Sequence, residues 1–378
     1  MRFCGKIFND VVTYLCRKME ISFSQRSSRP IAAWLLAGVA MIIIQVLLGG
    51  ITRLTGSGLS ITEWKPIMGA LPPMNEQDWN IVFEKYKQIA QYKFLNSHFT
   101  LHDFKFIFFW EWLHRLWARL ISIVFIIPFL IFLIQKRFKK EMIKPMIILF
   151  LLGALQGLVG WIMVMSGLDD PEALHVSHYT LAIHFILALG LLCYTLWFAL
   201  NLLIPKEQLV INNSLKKFSV WITVFLVLQL IYGAFMAGLK AASAAPTWPT
   251  INGMWIPENV HSFGGREFAG LSFLTDDPLM VHFIHRNLAY IIFVLILIWS
   301  WKASKVFAAD LFKKARWMPL LIVSAQVLLG IITVLNATDP KLLLWLGIAH
   351  QFIAMILLLS MIWMIYIFHN TNNSFVSK

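Results

Sequence analysis

KFIFFWEWLHRLWARLISIVFIIPFLIFLI, residues 105–134, is the stretch from which the fold is read. It is longer than the roughly 20 apolar residues a helix needs to cross a bilayer, and it carries a histidine, His114, about ten residues inside its start. Seven other stretches have comparable length and apolarity, at about 31–50, 145–166, 176–203, 218–239, 280–301, 317–336 and 341–368. The composition agrees: 59% of the 378 residues are apolar and 13% charged, against about 25% charge in soluble domains. In lipid every backbone polar group must be bonded internally. The expected fold is therefore an all-α integral membrane protein of eight transmembrane helices.

The net charge of +13 reports topology rather than a nucleic-acid partner, since no soluble basic face is present. Lys136, Arg137, Lys139, Lys140 and Lys144 crowd the second loop, and Lys302, Lys305, Lys313, Lys314 and Arg316 the sixth. The opposite short loops hold Asp169, Asp170, Glu172 and Asp339. Positive residues stay inside, so both termini are expected in the cytoplasm or its topological equivalent. Cys4, Cys16 and Cys193 have no metal or disulfide spacing. The basic first thirty residues lack an apolar core and resemble neither a signal peptide nor a clear transit peptide, and Met19 is an alternative start.

The chain repeats itself. His114, His184, His285 and His350 fall one on each even-numbered span. Gln45-x3-Gly49, Gln156-x3-Gly160, Gln229-x3-Gly233 and Gln326-x3-Gly330 fall one on each odd-numbered span. Residues four apart share a helix face, and glycine there lets another helix or a flat ligand approach closely. EWLHR (111–115) matches HFIHR (282–286), Asp170-Pro171 matches Asp339-Pro340, and Trp64 and Pro66 match Trp248 and Pro249. The expected organisation is an N-terminal tail (1–30), a first four-helix bundle (31–203), a linker (204–217), a pseudo-symmetric second bundle (218–368) and a C-terminal tail (369–378).

The four histidines lie 6–10 residues from the outer ends of the expected spans, a common depth of about 9–15 Å. An intramembrane histidine marks a functional site by default. Two imidazoles at one level in each bundle suit two haems with axial histidines, His114 with His184 and His285 with His350. The bland alternative is a core histidine bonded to a neighbouring helix. Zinc competes less well, because no third ligand repeats with the pairs.

Arg115 and Arg286 follow two of the histidines, and Arg53 and the deeper Arg119 are further cations. Each could bind a haem carboxylate or snorkel to the surface. Three residues before the histidine the halves differ: Glu111 in the first, His282 in the second. A carboxyl there shares a face with His114 and could serve as acid, base or electrostatic stabiliser, or be a structural partner of an arginine. This places catalysis in the first half and a resident haem in the second. His98, His102, His175, His178, His261 and His369 read as surface or rim residues.

GGITRLTGSGLSITEWKPIMGALPP (49–73), FWEWLHRLWARL (109–120), TWPTINGMWIP (247–257), HFIHRNLAY (282–290) and GIAHQF (347–352) resemble the haem A synthase family, in order from about residue 30 to 368. The resemblance implies oxidation of the C8 methyl of haem O to a formyl group, a four-electron change through successive hydroxylations and loss of water, to give haem A for terminal oxidases. It implies haem O as substrate at His114 and His184, haem b as cofactor at His285 and His350, and a catalytic role for Glu111. It also implies haem O synthase and oxidase assembly factors as partners and a membrane electron acceptor, with a homo-oligomer possible in principle. The expected location is the bacterial inner membrane, with the mitochondrial inner membrane as runner-up. Some relatives carry a cysteine pair in the first outer loop; this chain has none there. The competing readings are a di-haem b-type electron-transfer cytochrome and a transporter with a histidine proton relay.

Overall fold

A computed structural model describes residues 29–63, 68–258 and 262–368. Trp64 and Pro66, His261 and His369, Cys4, Cys16 and Met19, and most of both tails lie outside the described residues. Eight helices are long and apolar enough to span a membrane: α1 (Arg29–Leu54), α2 (Leu101–Ile134), α3 (Lys140–Leu168), α4 (His178–Leu203), α5 (Asn213–Gly238), α6 (Pro278–Ser304), α7 (Met318–Leu335) and α8 (Pro340–Ile367). The chain is an all-α multi-pass membrane protein.

The helix starts show why the apolar runs underestimate their lengths. α2 begins four residues before the apolar stretch because Thr100 and Asp103 form a reciprocal capping box, which satisfies backbone donors otherwise left open. His114 consequently stands thirteen residues into its helix, against six for His184 in α4. Asp277 and Asp339 cap α6 and α8, each followed by proline at the first helical position, where a missing N–H costs nothing. The match of Asp170-Pro171 with Asp339-Pro340 holds in sequence only. Asp170 instead accepts from the Glu172 N–H at 2.9 Å inside a loop, and α4 starts later, after Ser177.

Packing runs through the central helices. Two indole bonds fasten α1 to α2, Trp34 Nε1 to the Val124 carbonyl (2.8 Å) and Trp117 Nε1 to the Met41 carbonyl (2.9 Å). One apolar core continues from Val46 on α1 and Leu192 on α4 to Leu226, Ile296, Val323 and Met361 on the second-half helices. Close crossings join the halves: Gln351 on α8 donates to the Val46 carbonyl (3.2 Å) beside Gly50, and Gly238 admits His178.

The two long connections lie on the side where α1 and α5 end and α2 and α6 begin. The first holds a short helix, Glu76–Tyr86, whose Phe83 and Tyr86 pack with Phe104, Ile107 and Phe108 of α2. The second holds turns and a two-stranded hairpin, Ser262–Phe263 with Arg266–Glu267.

Candidate haem sites

Each of the four histidines is seated by the Gln-x3-Gly pair of the preceding odd-numbered helix. Gln45 Nε2 lies 3.2 Å from both ring nitrogens of His114 and donates to the His114 carbonyl at 3.2 Å. Gln156 Nε2 lies 3.1 and 3.4 Å from those of His184 and donates to its carbonyl at 2.9 Å. Gln229 and Gln326 reach Nε2 of His285 and His350 at 3.3 and 3.1 Å. The glycine one turn on faces the ring edge. A Cβ on Gly49, Gly160, Gly233 or Gly330 would stand 3.2, 2.8, 3.3 or 2.9 Å from the imidazole Cε1. The sequence signal for this seat was the fourfold spacing; what the glycines admit is the imidazole.

The rings also pair across helices. His285 and His350 have ring centroids 6.4 Å apart, and His114 and His184 lie within electrostatic reach of each other. Two imidazoles at this separation leave room for one haem iron, which His285 and His350 would hold between them. The polar inventory of the second-half pair is incomplete from protein alone. Nδ1 of His285 and of His350 and Oε1 of Gln229 and Gln326 are buried without partners, and buried polar atoms are normally satisfied. Which nitrogen of each ring carries the lone pair is set by its tautomer, and that nitrogen is the ligand position. Among the described residues no trio of His, Cys, Asp or Glu gathers into a metal-ion site. The donor set therefore fits haem iron held by two histidines.

Glu111 is 3% exposed and both of its oxygens are engaged. Oε2 accepts from Ser60 Oγ (2.7 Å) and the Ile61 N–H (2.9 Å), and Oε1 accepts from Arg115 Nη2 (2.6 Å). Arg115 also donates to the carbonyls of Ile61 (3.0 Å) and Glu63 (3.3 Å). The pair thus pins the loop that follows α1 onto the His114 helix. The second half repeats the device with an imidazole: Arg286 Nη2 meets His282 Nε2 at 2.9 Å and donates to the Thr247 carbonyl at 2.7 Å. Arg286 Nη1 donates to the carbonyls of Pro249 and Thr250 at 2.8 and 2.9 Å. The guanidinium groups of Arg115 and Arg286 are engaged with loop carbonyls, which residue spacing could not reveal.

Arg53, one turn beyond Gly49, donates from Nη2 to the Gly238 carbonyl (2.6 Å) across the boundary between halves, and its Nε is buried without a partner. His178, expected at the rim, meets Asp276 at 3.1 Å, and Tyr179 bonds Thr275 (2.7 Å) and Asp276 (2.8 Å). Ser60, Asp276 and the loop amides were not singled out beforehand. Their roles depend on loop paths that periodicity does not encode.

The model of the COX15-CtaA family, cytochrome oxidase assembly protein, matches residues 32–362. The chain belongs to this family. Among its relatives, the heme A synthase of Flavobacterium psychrophilum is 40% identical over 337 residues, covering 88% of this chain and 96% of the relative. That of Parvibaculum lavamentivorans is 39% identical over 359 residues, covering 93% and 98%. That of Bartonella henselae is 36% identical over 347 residues, covering 92% and 94%. Family membership spans all eight helices and hence both histidine pairs.

Proposed function

We propose that this chain is a haem A synthase, a membrane oxidoreductase that converts haem O to haem A for terminal oxidases. The observation that carries the reading is the fourfold seat, in which a Gln-x3-Gly pair holds one histidine on each even-numbered helix. Haem O is the substrate of His114 and His184. Haem b is the resident cofactor of His285 and His350, and when bound it supplies one-electron redox chemistry. The two halves act as a catalytic bundle (31–203) and a cofactor bundle (218–368), with the termini and the 204–217 linker on the cytoplasmic face of a bacterial inner membrane.

The chain's own groups divide the remaining work. The glutamines and glycines orient the imidazoles, and the loop after α1 covers the first site and limits water. Glu111, one turn from His114, is a buried carboxyl of the catalytic bundle. At rest its carboxylate neutralises Arg115 and holds the Ser60–Ile61 segment closed. Release of the Ser60 hydroxyl would free Oε2 to exchange a proton with substrate. In the second half, His282 leaves Arg286 without a carboxylate on its own helix, which suits a resident haem bearing two carboxylates. Arg53 and Arg286, neither paired with a carboxylate, supply the positive charge near the mouths of the two sites. The partners this implies are a haem O-producing enzyme, oxidase assembly factors and a membrane electron acceptor.

The test is haem extraction and chromatography from a haem O-producing host with and without the chain. Haem A should appear only with the intact chain and disappear with Glu111→Ala and His285→Ala. Two tightly held b haems and unchanged haem O would instead identify a di-haem electron-transfer cytochrome.

A further inference from the structure

The halves differ in how they close. In the second half α6 packs along α7; the corresponding pair in the first half, α2 and α3, barely touches along the spans. Their shared register allows comparison residue by residue. Aligning His114 with His285 sets Ile121 and Phe125 against Ile292 and Ile296, and aligning Gln156 with Gln326 sets Gly153 against Val323. Ile292, Ile296 and Val323 are buried in the core. Ile121 and Phe125 are only partly covered, and Gly153 and its neighbour Gly157 are exposed. A Cβ on either glycine would meet nothing within 4 Å. Gly153 lies seven residues from Gly160, two turns along the same face, so the open space runs from beneath the His184 seat.

The opening has two distinct ends. Away from the histidines it is shut by Met142 and Met146 of α3, clustered with Phe125, Phe129 and Phe132 of α2. Beyond the histidines stands Arg53 with its unpartnered Nε, and His175 and Lys240 are close enough to act on it and on each other. Burial, Arg53 and Lys240 push His175 down to about 3, so it is neutral and supplies no counter-charge. The charged neighbour of Lys240 is likewise a cation, Arg53. One end of the space is apolar and closed by these side chains; at the other, the cations stand without a carboxylate partner among the described residues.

We propose that the gap between α2 and α3 is a lateral slot that admits the substrate haem from the bilayer and houses its apolar side chain, with its carboxylates held by Arg53 and Lys240. This rests on the haem O reading above and adds the route and the orientation. A hydrophobic substrate reaches the site without leaving lipid, while the closed α6–α7 face retains its haem.

The experiment uses the full chain carrying its second-half haem. Wild type that makes no haem A would refute the functional reading itself. With wild type active, Gly153→Leu/Gly157→Leu should keep the second-half haem spectrum and lower haem O conversion about tenfold, because the added side chains occupy space the substrate needs. Conversion at the wild-type rate would overturn the slot. Should the leucine pair not fold, Gly157→Cys serves: bound haem O must slow its alkylation by a bilayer-soluble maleimide, and unprotected alkylation overturns the slot. Haem O dimethyl ester should bind wild type about tenfold more weakly than the free acid, and Lys240→Ala should narrow that gap. Equal binding of ester and acid to wild type would overturn the orientation.

Discussion

Gly330→Ala adds one methyl group aimed at His350, a proposed haem ligand. Its Cβ would stand 2.9 Å from His350 Cε1, with Nδ1 at 3.6 and Nε2 at 3.7 Å. Carbon atoms settle about 3.5–4.0 Å apart, so the ring must withdraw by about 0.6 Å or more. Gln326 holds the ring from the same helix, which leaves little room for retreat. Gly233→Ala is the internal control, since its Cβ would stand 3.3 Å from His285 Cε1 and asks for about 0.2 Å. Both changes gain about 1 kcal/mol of helix stability from replacing glycine. Overpacking opposes that gain by about 1–3 kcal/mol, and it acts fully only at Gly330. Gly233→Ala should therefore be near neutral, whereas Gly330→Ala should weaken haem binding by about 1–2 kcal/mol, or five- to thirtyfold. The assay is haem b titration of purified protein in a His114→Ala background, which confines the Soret signal to the second half. Affinities of the two alanine variants within twofold of each other would refute the reasoning.

Other perturbations separate structure from chemistry. Glu111→Gln keeps an acceptor for Ser60 but strips the charge from a buried pair. It should cost about 2 kcal/mol, below the usual range for breaking a buried ion pair because Arg115 retains two loop carbonyls. Haem A formation should fall while the second-half haem spectrum stays unchanged; loss of that spectrum would contradict the assignment of Glu111 to the first site. Gly50→Ala would drive the Gln351 amide from its bond to the Val46 carbonyl. It should lower thermal stability by about 1 kcal/mol and leave haem content intact, and a matching loss of haem would count against it. Asp277, fully buried at the start of α6, has its pKa raised by burial. The folded state thus holds a proton that the unfolded chain loses near pH 4. Stability should fall as pH rises from there to the elevated folded value, then level off. Asp277→Asn keeps the cap to the Met280 N–H and should abolish that slope; an unaltered pH profile in a denaturation series would show that another group sets it.

How much was legible beforehand differs from residue to residue. The eight spans, the four intramembrane histidines and the fourfold Gln-x3-Gly could be read directly from the chain. Lipid forces local hydrogen bonding into helices, and a helix turns spacing in sequence into a face in space. The one-sided placement of Glu111 was legible for the same reason. What fills each glycine notch was not. Only the crossing of α1 with α2, or α7 with α8, brings an imidazole to Gly49 or Gly330. The anchoring of Arg115 and Arg286 to loop carbonyls depends on irregular loops, whose paths carry no period. The open face between α2 and α3 is likewise a tertiary outcome. Equal apolarity describes α3 and α7 alike, but closure depends on whether a partner helix covers that apolar surface, and there Gly153 and Val323 part company.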